Sequence, residues 1–206
     1  MHKLSIDSHD NAIDYIVEEI QDTSEENTPE HNPQMEEFYQ GLYALYDDDL
    51  AEAKKIFSNI LEHADRFNPA YYTYLSFVGL LEVILLKSNG GLQRCYDAIQ
   101  GSSNDAELYF NLAYAEHILE NRRRCVVAIE KCLQYNPKHA YAPRFQTCIG
   151  IRKKDDKKRN TRTKKTLGKL FRKKKDKQNR ETCALIFKDN LSNKLDLYME
   201  EVIKRT

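Results

Sequence analysis

Residues 106–139 read AELYFNLAYAEHILENRRRCVVAIEKCLQYNPKH, and their spacing decides the fold. Ala113 sits in an apolar helical pattern, and Cys125 and Ile129 follow it at offsets of 12 and 16 residues. The same offsets from Gly41 reach Ala53 and Phe57. Gly79 lies 38 residues after Gly41 and 34 before Ala113, inside a third apolar helical pattern. Small residues at such positions let two antiparallel helices approach closely, and large apolar residues of the next helix fill the space beside them. Self-similarity near a period of roughly 34 residues describes a helix-turn-helix unit that must stack on its neighbours to bury its faces.

The 106–139 unit resembles the tetratricopeptide repeat (TPR). That family's pattern of an aromatic, Leu-Gly, Ala, an aromatic, Ala and Pro is filled here by Tyr109, Leu112-Ala113, Cys125, Ile129, Cys132 and Pro137. Asn104 with Glu107 reads as a capping box opening the unit, and Asn136-Pro137 as the cap and first turn of the next helix. A first unit over 35–68 matches at Gly41, Ala53, Phe57 and Ile60, with Asn68-Pro69 four residues late, which predicts a second helix longer by one turn. The 71–104 unit keeps Gly79 and Ala98 but places Gly91 and Cys95 in the other core slots. Gly90-Gly91 is expected to cap the preceding helix, leaving a short helix over 92–100. The resemblance implies an all-α fold: a short TPR-like α-solenoid of about three helix-turn-helix repeats with a capping helix, starting near Ala140, and a basic tail.

The formal net charge is zero, yet the charge is segregated: −8 over residues 1–34, −4 over 35–150, +13 over 151–180 and −1 over 181–206. The chain therefore divides into an acidic arm (1–34), a repeat domain (35–151), a basic flexible linker (152–180) and a C-terminal amphipathic helix (181–206). In the arm, Ile13, Ile16, Val17 and Ile20 share a helical face too short to persist alone, so it must dock on the first repeat or on a second copy of the chain, as in a homodimer. The 152–180 segment holds too few apolar residues for a core; Leu167, Leu170 and Phe171 stand among its lysines. Leu191, Leu195, Tyr198, Met199, Val202 and Ile203 form a stripe on a helix over 190–205, capped by Asn190 or Ser192 and in need of a partner surface.

No run reaches the roughly 20 apolar residues of a membrane span, and the N-terminus lacks the apolar stretch of a secretory signal. Cys95, Cys125 and Cys132 fall in small-residue core slots, and no CxxC pair occurs, so the cysteines read as reduced structural thiols in a cytoplasmic setting. Asp47-Asp48-Asp49 reads as a solvated turn, and the histidines lack metal-ligand spacing. Neither a phosphate-cradling loop nor a nucleophile–base constellation is present in the sequence. The expected protein is not an enzyme and takes neither a metal nor a cofactor.

In the TPR family the first helix of each unit lines a concave groove. By that resemblance the candidate peptide-binding residues are Phe38, Leu42, Leu45, Leu80, Val83, Phe110, Tyr114 and His117. The slots used elsewhere in the family to clamp a terminal carboxylate hold Phe38, Leu42, Phe77, Glu107 and Asn111, so that clamp is missing. An apolar groove suits a protein partner that offers an extended peptide or an amphipathic helix, and the expected function is that of an adaptor or chaperone. The protein's own terminal helices are the alternative occupants. The layout also resembles, in architecture only, the small chaperones of hydrophobic translocators in bacterial type III secretion, from which the basic tail departs. A second class of function is attachment to an anionic membrane or nucleic acid through Lys164, Lys165, Lys169, Arg172, Lys173, Lys174 and Lys175, which would make the protein peripheral to a membrane in the first case.

Overall fold

The computed structural model describes residues 33–150 and 168–205, with side chains over 34–150 and 177–204. The predicted N-terminal helix, Leu167, Lys164 and Lys165 lie outside these residues, as do the side chains of Leu170, Phe171, Lys169, Arg172, Lys173, Lys174 and Lys175. Eight helices and no strand occur among the described residues: α1 (Pro33–Tyr46), α2 (Leu50–His63), α3 (Ala70–Leu86), α4 (Asn89–Gly101), α5 (Ala106–Ile118), α6 (Arg122–Tyr135), α7 (Ala142–Cys148) and α8 (Gly168–Arg205). The first six form three hairpins stacked in sequence, an all-α, solenoid-like arrangement.

The three hairpin turns repeat one backbone device. Asp48, Lys87 and Glu120 each stand two residues before the second helix and adopt left-handed φ values of 64°, 50° and 61°. This conformation reverses the chain in two or three residues, so the two helices leave the turn side by side. Caps then start the helices: Asp49 accepts from Glu52 N at 3.1 Å, Ser88 from Gly91 N at 3.2 Å and Asp105 from Glu107 N at 2.8 Å.

Close helix approach follows from the small residues. A Cβ on Gly41 would lie 2.9 Å from the Phe57 ring. A Cβ on Gly79 would lie 2.6 Å from the carbonyl oxygen of Gly91, and a Cβ on Gly91 equally close to that of Gly79, so α3 and α4 cross backbone against backbone. Ala113, Cys125 and Ile129 are buried at the third crossing.

Several local expectations are corrected. Gly90-Gly91 lies inside the first turn of α4, because Lys87 ends α3 and Ser88 caps α4, which starts at Asn89 and not at the expected Leu92. α2 has the same 14 residues as α6; the four extra residues fall in the following loop, where Asp65 and Asn68 accept from Phe67 N and Ala70 N and hold the chain out of the helix. Asp105, not Asn104, caps α5. Asn136 closes α6 rather than opening a helix, and His139 Nδ1 accepts from Tyr141 N and Ala142 N at the start of α7. α8 begins 22 residues before Asn190, since Lys, Arg and Gln are strong helix formers and no Gly or Pro interrupts residues 169–205.

Candidate binding groove

α8 packs across the first helices of the first and third hairpins, α1 and α5. Arg180 pairs with Glu120 after α5 (2.5 Å), Phe187 sits on Tyr114 and Phe110, and Lys194 pairs with Glu107 at the start of α5 (2.9 Å). Along α1 the order is the same: Lys188 pairs with Asp48 after its end, and Tyr198 stacks on Tyr39 with centroids 3.7 Å apart. α8 therefore runs antiparallel to both. Its inner face buries Cys183, Ile186, Phe187, Asn190 and Leu191, while Met199 and Ile203 remain exposed.

The sequence-derived groove residues divide in three. Phe110, Tyr114 and His117 meet under α7 and α8: the Tyr114 and Phe187 rings stack at 4.2 Å and 11°, and Phe145 lies edge-on to Phe110, Tyr114 and His117. Leu42, Leu45 and Leu80 are fully buried in the core. Phe38 and Val83 serve contacts between helices of the solenoid. Phe38 packs with Phe57, Tyr74 and Phe77, and the backbone of Val83 faces Gly91 on α4.

Phe187, Ile186 and Cys183 are the functional candidates that sequence reasoning missed. Their signal is the continuation of the three-and-four spacing N-terminal to Leu191, through Asn190, Phe187 and Cys183. Asn190 resembles a cap by residue type. In the fold it is buried in mid-helix, and its Nδ2 donates to Glu107 Oε2 at 3.3 Å.

Glu107 is the electrostatic centre of the groove. The Nδ1 of His139 accepts two backbone N–H groups, so the proton sits on Nε2, which lies 3.0 Å from Glu107 Oε1. Burial raises the Glu107 pKa, but the His139 ring nitrogen beside it and the Lys194 ammonium outweigh it and hold the group down at about 2. A folded-state pKa below the ordinary 4.5 means that the ionised carboxylate stabilises the folded chain. That contribution is complete above pH 4.5 and is lost as the pH falls through about 2. Glu107→Gln is expected to remove this part of the acid dependence, measured as the slope of urea-derived stability between pH 4.5 and 2. An unchanged slope would mean that Glu107 does not hold α8.

Beside the C-terminal half of α8, Tyr39, Tyr43, Tyr46, Leu195, Tyr198 and Met199 line an outer cleft of about 590 Å³. Near the other end a cavity of about 250 Å³ is bordered by His117, Cys125, Arg122 and Arg180. Burial, then the Arg180 charge, lowers the His117 pKa, so its ring is neutral at pH 7. No group of three His, Cys, Asp or Glu side chains suited to a metal ion occurs among the described residues, and no helix among them is long and apolar enough to cross a membrane.

Fold and site together describe an all-helical, solenoid-like stack of hairpins with a long helix of the same chain packed on α1 and α5. Compared with known proteins, the chain matches no family model and no curated sequence.

Proposed function

We propose that this chain is a non-catalytic interaction module of the TPR type, an adaptor or chaperone whose groove takes an amphipathic helix, and that α8 occupies the groove in cis until a competing helix displaces it. The observation that supports this reading is the seat of Phe187 against Tyr114 and Phe110, two of the residues expected to face a ligand. An amphipathic helix laid in an apolar groove is a recurring recognition mode, anchored by residues three and four apart. Cys183, Phe187, Asn190, Leu191 and Lys194 have that spacing.

The tether sets the exchange. A helix joined through a short stretch of chain to the surface it binds is present there at an effective concentration of millimolar order. A free helix with an intrinsic Kd of about 10 µM then binds the intact chain about 100-fold more weakly than a chain whose tether is cut. The test is to cut the folded full-length protein at a specific protease site placed within residues 152–162, and to add a labelled peptide of residues 177–205. The cut protein is expected to exchange its α8 for the peptide, and the intact protein to resist it. If the cut protein keeps α8 without exchange, the helix is a fixed structural part and the groove is not a ligand site.

A second reading is favoured by the first turns of α8. Residues 168–180 carry seven Lys or Arg and one Asp, ahead of the groove-facing part of the helix. Salt-dependent binding of the full chain to anionic vesicles or RNA, without peptide exchange, would move the function to this basic segment.

A further inference from the structure

Two thiols meet where α8 enters the groove. Cys148 is the last residue of α7 and Cys183 lies on the inner face of α8. Their Sγ atoms are 2.8 Å apart, against about 2.05 Å in a formed disulfide. Cys148 Sγ also donates to the carbonyl of Asn179, one turn before Cys183 on α8. The pair is next to the groove anchors: Phe145, three residues before Cys148, and Phe187, four after Cys183, both pack on Tyr114.

We propose that Cys148 and Cys183 are a reversible disulfide site, which a low-molecular-weight disulfide oxidises to fasten α8 into the groove. The consequence for ligand exchange rests on the groove reading above; the bond itself does not.

The two thiols differ in access. Cys183 is fully buried, and burial followed by the neighbouring Cys148 raises its pKa, so it does not react first. Cys148 is partly exposed. Its thiolate attacks one sulfur of the small disulfide, forming a mixed disulfide and expelling one small thiolate. Cys183 then loses its proton and attacks Cys148 Sγ, expelling the second. Two protein thiols become one S–S bond, and the small disulfide is reduced to two thiols. A reductant reverses both steps. Cys95, Cys125 and Cys132 are buried in the hairpin cores and are expected to stay reduced.

The bond would close a loop between residues 35 apart and remove the freedom of α8 to leave while its tether holds. The test uses the full-length chain, reduced and then incubated with oxidised glutathione. The expected product has lost two hydrogens by mass, joins the tryptic peptides containing Cys148 and Cys183, and melts roughly 5–10 °C higher than the reduced chain. Cys183→Ser should instead stop at a glutathione adduct on Cys148, and Cys148→Ser should show neither product nor shift. A wild-type chain that keeps five free thiols, or stops at the adduct, overturns the proposal. The groove reading is judged separately, on a chain cut at 152–162. When reduced, that chain is expected to exchange the labelled 177–205 peptide; when oxidised, it should exchange at least tenfold more slowly. Exchange in neither state defeats the groove reading alone, because mass and melting still decide the disulfide. Equal exchange in a chain proven to be oxidised shows that the bond does not fasten α8, and defeats the proposal.

Discussion

Gly79→Leu is expected to destabilise the protein by more than about 3 kcal/mol, which lies at or beyond the usual range for overpacking. The reason is what the new side chain would meet. At Gly41 the obstacle is an aromatic ring, which can turn. At Gly79 it is the carbonyl oxygen of Gly91 at 2.6 Å and the backbone nitrogen of Cys95 at 3.0 Å, so α3 and α4 must separate along their whole crossing. That separation would also open the core around Leu80, Val83 and Cys95. Small domains are stable by only about 5–15 kcal/mol, so the loss is a large fraction of the total. Gly90→Ala is the control: its nearest neighbour is the Ser88 hydroxyl at 3.3 Å, and its effect should stay within about 0.5 kcal/mol. Urea denaturation followed by far-UV circular dichroism decides between them, and equal midpoints would remove the α3–α4 crossing.

Phe187→Ala is expected to release α8 and leave the hairpins folded. Truncating a buried Phe costs about 3–5 kcal/mol. Here the loss falls on a single docked helix, so it appears as local opening before global unfolding. A loss of about 3 kcal/mol multiplies the opening constant by more than 100. Amide hydrogen exchange over residues 183–198 should accelerate by at least that factor, with α3 and α4 protected as before. Acceleration spread evenly over every helix would mean that α8 is part of one cooperative core and cannot be exchanged.

The helices and their order were legible because the small-residue ladder has a physical cause that a single sequence displays. Gly41 must clear Phe57, and Gly79 must clear Gly91, whatever else the chain does. The local boundaries were harder. Asn104 and Asp105 are both good caps by type, and only the backbone path selects Asp105. Gly90-Gly91 resembles a helix end, yet Lys87 takes the left-handed position that glycine usually fills. The site was half legible. Phe110, Tyr114 and His117, named from spacing as groove candidates, do lie together, but the residue that covers them was hidden behind Asn190, whose side chain serves Glu107 at a distance of 83 residues. Spacing within one helix carries no mark of so distant a partner.

The turns at Asp48 and Glu120 have a further consequence. They hold Lys188 and Arg180, which are eight residues, or about 12 Å, apart on α8. Each pair alone contributes little, since both are exposed. Together with Phe187 they act as a vernier on the axial position of the helix. Sliding α8 by four residues in one direction brings Ala184 and Ser192 to the two acidic turns; sliding it the other way brings Asp176 to Glu120 and Ala184 to Asp48. Either slip forfeits both attractions at once, and the second adds a repulsion, so α8 is indexed to one register and does not creep along the groove.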